Sequence, residues 1–316
     1  MLSPLARHLL IPLLCVSFAV GQSAQPQSAQ LADDGKVPSG VIIVKGAWSS
    51  ASDSTTPVPE GGSVTNGVYR NDYFGMTYSL PHNWTEEYKG PPPSDHGRYV
   101  LAQIAPPETF TGSARGSILM TAEDMFFTPV PAKSAAEFVN YSKDHLQPDY
   151  KVEQLPQPIT LAGRNFTFLK YWSPVAELHW FVLATEIRCH TVEIVLSSRD
   201  SDLLQSLMRS LQAMKLPDET GSTAERFPVC IKHYATEANL INRVEPVFNE
   251  ARFNPVPVRI IIDKSGSVRH IHFLSAFPDQ AQAITAALKQ WKFRPHVENG
   301  KVVEVETGIM FGRGGN

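Results

Sequence analysis

The sequence has no glycine-rich phosphate loop, no Cys-x-x-Cys pair and no internal repeat, so nucleotide cradles, dithiol redox sites and repeat arrays all lack their usual signatures. Its 28 basic and 31 acidic side chains give a formal charge of -3, without the basic surplus that a phosphate backbone demands. Nucleic acid is therefore not an expected partner. No apolar run approaches the roughly 20 residues that cross a bilayer as a helix; the run from Leu9 to Val20 is shorter and carries Pro12. Cysteine is scarce, at three residues. Proline is not: 25 of them, in 316 residues that are 42% hydrophobic, suit about two globular domains joined by non-regular connections.

Residues 1–21 have the make-up of an export signal, with Arg7 ahead of the apolar run and small residues Ala19 and Gly21 at the cleavage positions. The mature chain is expected from Gln22, in the periplasm or otherwise exported. An uncleaved segment would instead anchor the protein in an inner membrane through residues 9–20. Lipidation at Cys15 is disfavoured by the large Leu14 before it. Export leaves Cys189 and Cys230 where disulfides persist, and sequence separation alone leaves a bridge and two unpaired thiols both open. Residues 22–67 are rich in Ser, Gly, Pro, Gln and Thr and are expected to form a flexible arm. Within it, "VIIVKGAW" (Val41 to Trp48) has the composition of a strand that could join a neighbouring sheet.

From 68 to 216 the signals describe an α+β sandwich. Phe74, Met76, Tyr78 and Leu80 alternate as a half-buried strand, and strands are expected near Tyr99 to Ile104 and Ser117 to Phe127. A helix follows, with Ala135, Phe138, Val139, Ser142 and Leu146 on one face. "KVEQL", "QPITLAG", "RNFTFLKYW", "HWFVLATEI" and "TVEIVLSS" then read as an antiparallel meander, the last pair joined at Arg188, Cys189 and His190. A second helix carries Leu203, Leu204, Leu207, Leu211 and Met214. The phrases "YFGMTYSLPHNW" and "PITLAGRNFTFLKY" resemble the PsbP/Mog1-like fold. That resemblance implies a binding or assembly module rather than an enzyme.

A polar linker at 217–227 precedes the last domain, 228–316. After a short helix or turn expected around Glu245 to Ala251, "VPVRIIID" and "SVRHIHFL" form a hairpin about the turn Asp263 to Gly266. His270 and His272 are expected on a solvated outer face. Pro278 suits the first turn of a helix whose stripe is Ala281, Ile284, Leu288 and Trp291. "ENG" then turns the chain into a final strand with Val303, Val305, Thr307, Ile309 and Phe311 on one face. One helix on a three-stranded antiparallel sheet accounts for these positions. This stretch, through "AITAALKQWKFRPHVENGKVVEVETGIMF", resembles the C-terminal domain of TonB-type energy transducers, although "PVFNEARFNPVPV" departs from the family's usual approach to the first strand.

No catalytic residue, metal site or cofactor is expected. A lone Cys189–His190 pair and "KSGS" lack the surroundings of a nucleophile. The TonB resemblance implies a protein-binding, non-enzymatic function in the cell envelope, in which the last strand pairs with a segment of an outer-membrane receptor. Carried onto this chain, the pairing edge comprises Val302, Glu304, Glu306, Gly308 and Met310, with Arg294 as a neighbouring polar contact. The alternatives are an edge covered by its own domain, by the arm or by a second copy in a homodimer; a periplasmic assembly or scaffold factor working through the first domain; and a metal-binding protein using His270 and His272.

Overall fold

A computed structural model describes residues 42–43, 51–52, 56–88, 94, 96–107, 116–217, 227–248 and 254–312. The export signal, most of the arm and most of the linker lie outside these. Strict apolar alternation builds the larger of two main sheets. Seven strands run in the order Thr85–Tyr88, Arg98–Ala105, Gly116–Asp124, His190–Ser198, Leu178–Ile187, Arg164–Ser173 and Lys151–Leu161, antiparallel at every junction. Val192, Ile194 and Leu196 lie opposite Ala122, Met120 and Ile118, so one face is a continuous apolar layer. Helix α2 (Ser201–Ser210) and a small sheet of Ser63–Thr65, Val68–Asn71 and Met76–Ser79 close this core with Leu204, Leu207, Tyr69, Phe74, Met76 and Tyr78. Helix α1 (Ala135–Asp144) covers the opposite face over Leu169, Val182 and Ala184. It ends before Leu146, which therefore lies beyond the expected stripe.

Side chains fix both helix starts. The Ser134 hydroxyl accepts the Glu137 amide at 3.1 Å, and Asp200 accepts those of Asp202 and Leu203 at 2.8 and 3.1 Å, satisfying donors that the first turn leaves unpaired.

The second sheet is wider than three strands. Its order is Ile42–Ile43, Ala51–Ser52, Val268–Phe273, Val256–Ile262, Val305–Phe311 and Val229–Cys230, with only the last junction parallel. Val258, Ile260, Ile262, Phe273 and Val305 pack beneath α3 (Pro278–Leu288) with Ala281, Ile284, Leu288, Trp291 and Phe293. The Trp291 indole donates to the Val244 carbonyl at 2.7 Å, which meets the polar requirement of a buried indole. In the 263–266 turn the Asp263 carboxylate accepts the Ser265 and Ser267 amides. Gly266 has φ +86°, and a Cβ there would sit 2.0 Å from the Phe293 carbonyl oxygen, so no larger residue fits.

Three expectations need correction. His270 and His272 are 4% and 1% exposed, not solvated, because the face of the second sheet away from α3 is itself packed. Residues 56–67, placed in the arm by composition, are folded: Pro59–Gly61 forms a 3-10 turn whose Pro59 carbonyl accepts from the Asn71 amide, and Ser63–Thr65 joins the small sheet. Glu245 through Phe248 form neither the helix nor the turn expected around Glu245 to Ala251, while 249–251 lie outside the described residues. The described residues between 37 and 316 form one compact unit.

Candidate functional site

Period-two geometry gives the strand Val256–Ile262 two faces, and all seven of its residues are buried. Val258, Ile260 and Ile262 belong to the α3 core. Arg259 and Ile261 point the other way, beside His272 and Gly308, and His270 and Glu306, respectively. A guanidinium that is 1% exposed must find acids, because an unpaired buried charge costs several kcal/mol, roughly. Arg259 finds two. It pairs with Asp124, at the end of Gly116–Asp124 in the large sheet, and with Glu306 Oε1 at 3.0 Å.

The second cation of this cluster comes from a hairpin turn. Arg188 and Cys189 link Leu178–Ile187 to His190–Ser198 with φ of 47° and 60°, a left-handed pair that suits a two-residue hairpin but strains non-glycine residues. Their side chains offset that strain. Arg188 donates to Glu306 Oε2 and to the Tyr73 carbonyl, each at 3.0 Å, and lies 3.9 Å from the centre of the Tyr73 ring. Cys189 is bonded to Cys230, with Cα atoms 5.6 Å apart and a sequence separation of 41. A loop of that length corresponds to about 4 kcal/mol of lost unfolded-state entropy.

Tyr73 completes the cluster: its hydroxyl donates to Glu306 Oε1 at 2.8 Å and accepts from Arg259 at 2.9 Å. Burial works to raise the Glu306 carboxyl, but Arg188, Arg259 and the Tyr73 hydroxyl outweigh it and hold the group well below the usual carboxylate range. Glu306 is ionised. Burial pushes Asp124 upward despite Arg259 and the Phe126 amide bonded to it at 2.8 Å. His190 is driven well down by burial and then by Arg259. Its Nδ1 donates to the Arg188 carbonyl at 2.6 Å, leaving an unprotonated Nε2 facing Asp124 at 3.8 Å. These groups form a dry polar seam between the two main sheets, suited to fixing their register rather than to turning over a substrate.

The expected pairing edge is divided by this arrangement. Glu306 is buried in the seam and does not line a free edge. Along the outer flank of the last strand, Val229–Cys230 already pairs with Val305–Glu306: the Val229 and Ile231 amides donate to the Glu304 and Glu306 carbonyls at 2.8 and 3.1 Å. Those backbone bonds alternate along a strand, so the groups of Gly308 and Met310 face the same flank. Pro257, opposite Met310 and without an N–H, is consistent with that direction. No strand among the described residues pairs with the last strand there beyond Glu306. Met310 is 42% exposed, whereas Gly308 lies against Phe126 and Phe127.

The other expected contacts scatter. Glu304 meets Arg269 at 3.1 Å on the surface. Val302 sits in a separate hairpin of His296–Glu298 and Lys301–Val303. Arg294 is not beside the last strand: it follows Lys292–Phe293, which pairs with Leu240–Asn242, and its guanidinium donates to the Ala238 carbonyl at 3.2 Å. His270 and His272 stack 6.5 Å apart, and His272 Nε2 lies 3.5 Å from Glu60 Oε1. Among the described residues, no group of three His, Cys, Asp or Glu could hold a metal ion. Sequence reading missed the seam, although one signal was available. "VPVRIII" is a near-continuous apolar run, which marks a strand buried on both faces, and an arginine inside such a run implies an acid across the interface.

No family model and no curated protein sequence matches the chain. Among solved structures it is similar to cyanobacterial PsbP (CyanoP) from Synechocystis sp. PCC 6803, at 17% identity and a TM-score of 0.32 over 49% of this chain and 96% of that one. A protein of unknown function from Pseudomonas aeruginosa is similar at 17% identity and a TM-score of 0.31, over 48% and 97%. LpqN, involved in cell envelope biogenesis of Mycobacterium tuberculosis, is similar at 15% identity and a TM-score of 0.28, over 51% and 90%. Likeness at this level carries neither a family nor a function across.

Proposed function

We propose that this is an exported, non-catalytic protein of the cell envelope that binds an extended segment of another envelope protein at the open flank of its last strand, Gly308 to Met310. The observation that carries the reading is the half-covered edge: one end is occupied by a strand of the chain itself, and at the other no strand among the described residues pairs with Gly308 or the exposed Met310 on the outer flank. An added strand would gain backbone hydrogen bonds there, with affinity from the main chain and selectivity from side chains such as Met310. The seam and the disulfide support this reading by holding the edge on a rigid base.

A second reading places the working surface on the large sheet. Its outermost strand, Lys151–Leu161, exposes Val152 and Leu155, and the 174–177 turn exposes Val175. Pro156 and Pro158 blunt part of that edge against further pairing. A photo-crosslinking residue placed in the full chain in its native envelope separates the two. Strand addition expects capture at Met310, mapped to an extended segment of a discrete partner, and none at Leu155 or Val175. The reverse pattern refutes it in favour of a scaffold acting through the large sheet.

A further inference from the structure

The short strand Val229–Cys230 occupies the place that an added strand would take at the start of the same edge. It runs parallel to the last strand, is two residues long, and is bonded through the Val229 and Ile231 amides to Glu304 and Glu306. Two backbone bonds in a partly solvated edge are a weak hold on their own. The packing of Ile231 against the α3 core and two further anchors supplement them. Downstream, Tyr234 is buried in the α3 core, and its hydroxyl donates to the Arg294 carbonyl at 2.5 Å. At its last residue the strand is tied by the Cys189–Cys230 bridge to the Arg188–Cys189 turn of the large sheet, and two residues ahead of the strand Phe227 lies under the Arg188 guanidinium at 5.0 Å. Cys230 is exposed while Cys189 is half-buried, which favours approach of a solution thiolate from the Cys230 side.

We propose that Val229–Cys230 is a built-in plug and that the disulfide is the latch that keeps it seated. Opening the latch frees Phe227 to Ile231 to swing about the Tyr234 anchor and lengthens the pairing edge from Gly308–Met310 back to Glu304. This inference rests on the strand-addition reading for the identity of the occupant, an extended peptide, but not for the release of the plug. The chemistry balances with a dithiol reductant. Its thiolate attacks Cys230 Sγ and forms a mixed disulfide; the Cys189–Cys230 bond breaks, and Cys189 leaves as a thiolate that takes a proton from water. The reductant's second thiol then displaces Cys230, so two electrons pass to the protein and the reductant ends as a disulfide. The seam does not depend on the bridge. Arg188 keeps Glu306 and the Tyr73 carbonyl as partners after reduction, so the two sheets stay joined while the plug moves.

The test uses the full chain at pH 7, with the bridge intact, opened by dithiothreitol, or removed as Cys189→Ser with Cys230→Ser. Amide exchange read by mass spectrometry over Phe227 to Ile231 is expected to rise about tenfold or more when the bridge is open, the equivalent of losing roughly 1.4 kcal/mol of local protection, while Val256–Ile262 keeps its protection. A photo-crosslinker at Glu304 is expected to capture the partner only with the bridge open, and one at Met310 in both states. Unchanged exchange over Phe227 to Ile231, or equal capture at Glu304 in both states, overturns the plug. Absence of capture at Met310 in either state instead overturns strand addition, and the exchange measurement still decides whether the plug is released. Should the serine pair not fold, Cys189→Ala alone, kept reduced, opens the bridge. It is expected to raise exchange over Phe227 to Ile231 and capture at Glu304 together, and no rise in either overturns the proposal.

Discussion

Replacing Arg259 with methionine tests whether the second sheet is seated by the buried charges. The guanidinium is 1% exposed and serves Asp124, 0% exposed, and Glu306, 2% exposed. Its loss does not strand both acids equally. Glu306 keeps Arg188 at 3.0 Å and the Tyr73 hydroxyl at 2.8 Å, whereas Asp124 keeps the Phe126 amide at 2.8 Å and faces a neutral His190. The expected cost is therefore that of one broken buried pair, about 3 to 5 kcal/mol, not twice that. Loss of the guanidinium from the Phe126 ring, 4.7 Å away, adds to it. Burial already holds the folded-state pKa of Asp124 above its ordinary value, and removing the cation raises it further. A group shifted in that direction favours folding at low pH and loses that contribution as pH rises through the folded pKa, so the deficit against wild type is larger at pH 7 than at pH 4. Urea unfolding with the disulfide intact, followed by tryptophan fluorescence, reads both quantities. Adding Asp124→Asn to the variant removes the stranded charge and should recover about 1 kcal/mol or more at pH 7. A loss below about 1 kcal/mol for Arg259→Met, the level of an exposed pair, would refute the reasoning and mean that these charges are solvated.

Glu306 gives the opposite pH signature. Its folded carboxyl lies well below the ordinary 4.5, so the ion contributes stability that is present above that value and is lost as pH falls toward the folded pKa. Glu306→Gln should lower the urea midpoint at pH 7 and flatten its decline below about pH 5; an unchanged acid limb would remove Glu306 from the account. Gly308→Ala tests the contact between last strand and large sheet, since its Cβ would meet Phe126 at 2.8 Å and Phe127 at 2.9 Å. Overpacking of this kind costs about 1 to 3 kcal/mol, measured as a fall in Tm, and a neutral result would show that Phe126 and Phe127 can move aside.

Much of the fold was legible along the chain. The meander strands, the stripe of Leu204 and Leu207 on α2 continued by Leu211 in the 3-10 turn after it, the 263–266 turn and the core of Leu288, Trp291 and Phe293 all follow from apolar spacing and turn chemistry. The candidate site was legible only in part. Alternation in "VEVETGIMF" groups Val305, Thr307 and Ile309 correctly, yet it leaves Glu306 looking like a solvated outer residue. His270 and His272 misled in the same way. A polar residue at an alternate position signals a second face, but not whether water or another sheet covers it.

By itself, then, the sequence determined which side chains share a face, because the periods of helix and strand are local properties of the backbone. Only the tertiary structure decided that the second face of the C-terminal sheet meets Tyr73 and Asp124, that Cys189 meets Cys230, and that Val229–Cys230 takes the first places along the last strand. Strand order and the partners of buried charges depend on contacts between residues far apart in the chain, such as Tyr73 and Glu306, and no local period encodes them.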